Sequence, residues 1–245
     1  MPQTRIPTPQ DFSPLLPHLT TTLTPPSPPE STTSFLVLFH GLGDSETPFV
    51  NFAKSLNLPG VMAISVRGPS PLPPVVLGLP LGEGPTRHWH WGDDLSLLAG
   101  ELETDPGFEK ARGLVLEKLI GDVLVGTCGW ERRDVMLFGF GQGGGFALGL
   151  ARWVGEEGFK GVVSVGGALP GSMIPTGKGK KAKTPVLVCR GRESEVVDDE
   201  AEEVLRREFE EVKVASWKRA EDGMPKDRDE VLPMMQFFAE RLRAR

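Results

Sequence analysis

The feature that most constrains this 245-residue chain is a series of short, nearly unbroken apolar runs separated by helical patterns. Residues 35–39, 61–66, 135–138, 161–165 and 186–189 all lack the in-out alternation of a half-exposed strand. A strand that is apolar on both faces must be covered on both faces, which is the arrangement of a parallel sheet between layers of helices. Residues 212–215 read as a sixth strand. Between the runs, residues 109–125 set Leu116, Leu119, Ile120, Val123 and Leu124 on one helical face, with a stop at Gly126 and Gly129. Residues 198–211 read as an acidic helix with Val204, Leu205 and Phe209 inward. Residues 227–242 read as a closing helix whose Asp227, Asp229 and Glu230 suit its positive N-terminal end. Pro233 fits that helix only if it falls in the first turn. The expectation is an α/β fold in three layers around a mainly parallel sheet. Residues 1–33, rich in Pro and Thr, are expected as a surface-hugging or partly disordered lead-in, and residues 34–245 as a single domain.

Residues 139–144 read Gly-Phe-Gly-Gln-Gly-Gly, directly between an apolar run and the helix-like Phe146-Ala147-Leu148. Strand, tight glycine turn and helix form the frame Gly-x-Ser-x-Gly in which a nucleophilic serine is mounted, but the middle residue here is Gly141. The backbone at such a turn strains a non-glycine residue by about 1–3 kcal/mol, and glycine largely escapes this. A second glycine turn, His40-Gly-Leu-Gly-Asp44, follows the first apolar run and frees backbone amides in the way an oxyanion site requires. The spacing Gly139-x-Gly141-x-x-Gly144 also satisfies a dinucleotide fingerprint, with Glu156 or Glu157 near where a ribose-binding acid would sit. His88 and His90 are metal-type residues that would share one face of a strand, but no third ligand cluster joins them, and no metal is expected.

Together, the two glycine turns resemble the phospholipase/carboxylesterase family of α/β-hydrolases, which includes acyl-protein thioesterases. That family shows His-Gly-Leu-Gly-Asp after a strand, then Gly-Phe-Ser-Gln-Gly-Gly, then a Ser-Gly-x-Leu-Pro segment. Gly166-Gly-Ala-Leu-Pro170 is similar to the last of these, and Trp91-Gly-Asp93 is similar to a family Trp-Phe-Asp. The resemblance covers residues 34–242 and implies a three-layer α/β-hydrolase fold. It also implies which positions would carry catalysis. The nucleophile falls on Gly141, the acid on Ser194 between Glu193 and Glu195, and the histidine on Lys226 or Pro225 within Asp222-Gly-Met-Pro-Lys226. The oxyanion donors fall on the amides of Leu42 and Gln142, and Trp91 and Asp93 fall at the ligand-binding site. Independently of any motif, the four histidines are His18, His40, His88 and His90, so none follows the elbow as the order Ser…Asp/Glu…His requires.

The expected function is therefore a catalytically degenerate hydrolase-like protein, with no cofactor, that binds a small acyl or apolar ligand, a protein partner or a second copy of itself. The alternative is an active carboxylesterase or thioesterase using non-standard residues. Cys128, Ser45, Ser164 and Ser172 are candidate replacement nucleophiles, and Glu193, Glu195 and Lys226 could instead form a salt-bridged patch. A dinucleotide-binding enzyme is the third reading. A net charge of -6 opposes nucleic acid as the main partner. Two cysteines are too few for a disulfide framework, so both are expected as buried, reduced thiols in a cytoplasmic protein. No signal peptide is expected at the N-terminus, and no apolar stretch approaches membrane-spanning length. The basic run 178–183 is expected as a solvated loop, and the apolar, aperiodic segment 68–85 as a loop that packs on the body or lines a site.

Overall fold

The computed structural model describes residues 3–72, 76, 88–94, 97–98, 101–102, 105–177 and 179–244. In chain order its strands are β1 (Thr21–Thr24), β2 (Ser34–Phe39), β3 (Val61–Val66), β4 (Ser70–Pro71), β5 (Trp89–His90), β6 (Leu97–Leu98), β7 (Glu101–Leu102), β8 (Val135–Phe140), β9 (Gly161–Val165), β10 (Val186–Arg190) and β11 (Val212–Ser216). Seven of them form one sheet in the order β1-β3-β2-β8-β9-β10-β11. Only β1 runs antiparallel to its neighbour, and all other pairings in this sheet are parallel. The helices are α1 (Thr47–Leu56), α2 (Glu109–Gly113), α3 (Gln142–Val154), α4 (Asp199–Glu208) and α5 (Arg228–Arg243). Helix α2 runs on without a break into a π-helical stretch, Leu114–Thr127. This is the expected α/β-hydrolase fold, a mostly parallel sheet with helices on both sides.

The unbroken apolar runs have the predicted cause. Along β2, Phe35, Val37 and Phe39 enter one core with α3 and the 114–127 helix, while Leu36 and Leu38 enter a second with α1 and α5. The same split recurs at Val135 and Leu137 against Met136 and Phe138, and at Val186 and Val188 against Leu187 and Cys189. Successive residues of a strand point to opposite faces, so each must be apolar when both faces are covered.

Three expectations are corrected. Residues 3–33 are integrated into the fold beyond hugging its surface: β1 joins the main sheet, and Phe12, Leu15 and Leu19 are buried in its core. Three buried apolar side chains spaced among the prolines supply enough burial to dock the segment, with Ile6 and Leu23 packed beside them. Helix α4 ends at Glu208 rather than residue 211, because Phe209 turns extended, buries its ring and bridges to Ala182. Pro233 is the sixth residue of α5, past the first turn, so the exposed Asp229 carbonyl lacks its usual helical donor. Pairs with Glu156 and with the Arg206 carbonyl tie down Lys180 and Lys181 of the basic run, each at 2.7 Å; Lys178 lies outside the described residues. So do residues 73–75 and 77–85 of the apolar segment, whereas Leu72 before them is buried. No described helix is long and apolar enough to cross a membrane.

Candidate ligand site at the glycine turn

Strand β8 ends at Phe140, and the chain swings through Gly141 at φ 53°, ψ -120° before entering α3. That left-handed conformation disfavours L side chains, and glycine adopts it without strain. A Cβ placed on Gly141 would meet no atom within 4 Å, so this position opens onto free space. The glycines on either side have the opposite reason to be there. A Cβ on Gly139 would run into the Gly143 backbone, and one on Gly143 would meet the Phe39 carbonyl oxygen at 2.5 Å. The turn is thus pressed directly onto the end of β2, backbone on backbone.

The space beside Gly141 is a cavity of about 580 Å³, walled by four loops at the C-terminal edge of the sheet. Leu42 comes from the turn after β2, and Gly166 to Gly171 from the turn after β9. Glu195 and Val196 come from the loop after β10, and Asp105 and Phe108 from the approach to α2. Gln142 and Gly145 belong to α3 itself. Among the described residues, neither the Leu42 amide nor the Gln142 amide has a hydrogen-bond acceptor. Among these residues, both are spare donors beside the cavity.

The first wall is held from beneath. His40 is buried, its Nδ1 lies 2.7 Å from the Gly41 carbonyl oxygen, and its Nε2 accepts from the Gly68 amide at 2.8 Å. Accepting at Nε2 requires a neutral ring protonated at Nδ1, and burial accordingly pushes its pKa below the ordinary histidine value. Trp91 is fully buried. Its indole Nε1 donates to the His40 carbonyl at 2.8 Å, its amide donates to Gln142 Oε1 at 2.9 Å, and its ring stacks on Phe146 at 4.9 Å. Asp93 caps α2, accepting from the Glu109 and Lys110 amides at 2.6 and 3.0 Å. Of the four ligand-site positions that the resemblance implied, Leu42 and Gln142 line the cavity, whereas Trp91 and Asp93 stand behind and beside it.

The positions implied for the acid and the base do not meet as a dyad. Ser194 is nearly buried and donates its hydroxyl to Asp222 Oδ2 at 2.6 Å. The other Asp222 oxygen accepts from the Gly191 amide at 2.8 Å, and Ser194 Oγ accepts from the Val197 amide at 2.9 Å. Lys226 is exposed and lies outside the cavity wall, and its amide is taken by Glu230 at the start of α5. The expected patch of Glu193, Glu195 and Lys226 does not form among the described residues. Glu193 pairs instead with its neighbour Arg192 at 2.8 Å, because the loop directs it outward while Glu195 turns to the cavity. Asp222 is the residue that the sequence reading passed over. Its only signal was its place at the head of the late Gly-Met turn.

None of the candidate replacement nucleophiles lines the cavity. Ser164 is buried with its hydroxyl on the Gly167 carbonyl, and Ser172 is bound through its amide and hydroxyl to Asp105. Ser45 sits beside Asp44, to which its amide donates. Burial raises the Cys128 thiol and pushes Cys189 up to about 12, which keeps both protonated. No histidine lines the cavity either. His88 is bonded to the Gly43 carbonyl, and no metal-type cluster occurs among the described residues. The dinucleotide reading fails on topology. A ribose-binding acid belongs at the same sheet edge as the glycine turn, but Glu156 and Glu157 follow the far end of α3 and pair with Lys180 and Arg132.

The model of the phospholipase/carboxylesterase family matches residues 25–243. The chain belongs to the phospholipase/carboxylesterase family. A protein of Schizosaccharomyces pombe named as an uncharacterised hydrolase is 32% identical over 210 residues, covering 84% of this chain and 83% of its own. Among solved structures, esterase PE8 superposes with a TM-score of 0.68 at 20% identity, over 91% of this chain and 98% of its own. An acyl-protein thioesterase 2 from Zea mays gives 0.64 at 20%, over 91% and 99%. These two likenesses establish the α/β-hydrolase fold. Within this family fold, the turn at Gly141 occupies the elbow between β8 and α3, with both glycine turns in place around it.

Proposed function

We propose that this chain is a catalytically degenerate member of its family that holds a small acyl ligand, uncleaved, in the cavity beside Gly141. One observation carries the reading. The elbow position faces open space with no side chain on it, and every histidine of the chain lies off the cavity wall. Ester or thioester hydrolysis by the family's chemistry needs a nucleophile and a base within hydrogen-bond reach of each other. Removing the nucleophile of a serine hydrolase lowers turnover by about 10⁶-fold, and losing the remaining triad members adds little. Binding and two oxyanion amides alone sustain roughly 10³–10⁴ over water, a trace activity. The spare amides of Leu42 and Gln142 suit a carbonyl oxygen, and Phe108, Leu169 and Val196 suit an acyl chain. Polar groups with these roles can hold a ligand without transforming it.

The test is turnover of short-chain acyl esters and thioesters by the purified chain. Activity no higher than that trace level is expected. A rate far above it, abolished by a single substitution in the cavity wall, would establish the competing reading of an enzyme with non-standard residues.

A further inference from the structure

The cavity beside Gly141 is electrically lopsided. Among the described residues, Asp105 and Glu195 are the only charged side chains that line it, and no Lys, Arg or His does. Asp105 accepts from the Ser172 amide and hydroxyl, both neutral donors, so its charge is solvated by dipoles but not cancelled. Glu195 is exposed and has no hydrogen-bond or ion-pair partner among the described residues. Next to it, Val196 is 53% exposed, and Leu42 across the wall is 38% exposed. At the elbow the polarity reverses. The Leu42 and Gln142 amides, without acceptors among the described residues, and the positive end of the 13-residue helix α3 favour a group of partial negative charge.

We propose that the ligand is an amphiphile with a neutral carbonyl and a cationic head group, and that the site discriminates against free carboxylates. The carbonyl oxygen takes the two amides beside Gly141, and the apolar chain lies along Phe108, Leu169 and Val196. The cation sits toward Glu195 and Asp105. A fatty carboxylate would gain at the amides, but both acids would repel its full charge from a cavity with no basic side chain among its described lining residues. The inference rests on the reading that the cavity retains its ligand intact, and it adds the charge of that ligand.

Three non-hydrolysable octanamides that share chain and carbonyl separate the head groups: one ending in trimethylammonium, one in a hydroxyl and one in a carboxylate. Titration calorimetry at about 50 mM salt, where screening is weak, reads their affinities for the full chain. The expected order is cation, then neutral, then anion, with the cation bound about tenfold or more tighter than the anion, or about 1.4 kcal/mol. Glu195→Gln, at an exposed position, should bring the cation and anion within about threefold. For the wild-type chain, raising the salt toward 1 M should compress the same ratio, because the Debye length shortens to about 3 Å. An anion bound as tightly as the cation, a ratio unmoved by both Glu195→Gln and salt, or no binding of any of the three would overturn the proposal. Efficient cleavage of acyl esters would instead overturn the non-catalytic reading and leave the charge preference to stand on these titrations.

Discussion

Two regions meet at the mouth of this cavity, and they differ in how far side chains hold them. The turn from Gly139 to Gly145 is held by backbone pressed against backbone, with Gly143 seated on the carbonyls that end β2 and Gly167 against the Gly141 carbonyl. The loops after β10 and β11 are joined partly through backbone, by the Arg192 and Glu193 amides on the Arg219 and Ala220 carbonyls, but they add a side-chain tie, the carboxylate of Asp222 accepting from Ser194 and Gly191. A backbone-built site keeps its geometry when a catalytic side chain is absent. A side-chain-built site is rewired by each substitution. Here the first region has the geometry of an elbow, while in the second Ser194 and Asp222 tie two loops together.

The largest expected effect breaks the first region outright. Gly143→Ala drives a Cβ into the Phe39 and His40 carbonyls, which cannot retreat without moving β2. A loss of about 3 kcal/mol or more is expected, read as a fall in the urea midpoint. Asp222→Ala attacks the second region and leaves the Gly191 amide and Ser194 hydroxyl without an acceptor. About 2 kcal/mol is expected, and a double-mutant cycle with Ser194→Ala should show strong coupling between the two. Near-additive losses would mean that the Ser194–Asp222 bond adds little to the backbone bonds between the two loops.

Gly141→Ser sharpens the contrast, because its Cβ has room while its backbone does not suit an L residue. About 1–2 kcal/mol of stability should be lost. No gain in ester turnover is expected, since no histidine lines the cavity to act as base. The gentlest probe is pH. Burial holds His40 below its ordinary pKa, so the unfolded chain takes up that proton first on acidification. Stability should be flat above neutrality and decline as pH falls below about 6.5, and replacing His40 should reduce that slope. A slope of the opposite sign would mean that His40 is charged in the fold.

The sheet and its glycine turns were legible in the sequence because their causes are local and repeated. Burial on both faces imposes unbroken apolar runs, and a positive φ or a close backbone approach imposes glycine. The elbow was legible for the same reason. What could not be read was set by distant partners. Whether residues 3–33 dock depends on a core that only the assembled sheet provides. Phe209 leaves its helix for a bridge to Ala182, and Pro233 stays inside a helix that packing elsewhere sustains. The tie between Ser194 and Asp222 joins residues 28 positions apart in two loops, with no periodicity to announce it. Charge types alone suggested a patch of Glu193, Glu195 and Lys226, yet the directions in which those side chains leave the backbone decide otherwise.

The central claim is that the elbow persists as architecture without a nucleophile. Treating the wild-type chain with a fluorophosphonate probe and measuring its intact mass tests this most directly. The account predicts no stoichiometric adduct, because no serine is among the described residues that line the cavity. A single adduct mapped to one serine, formed at a rate comparable to an active esterase, would contradict it.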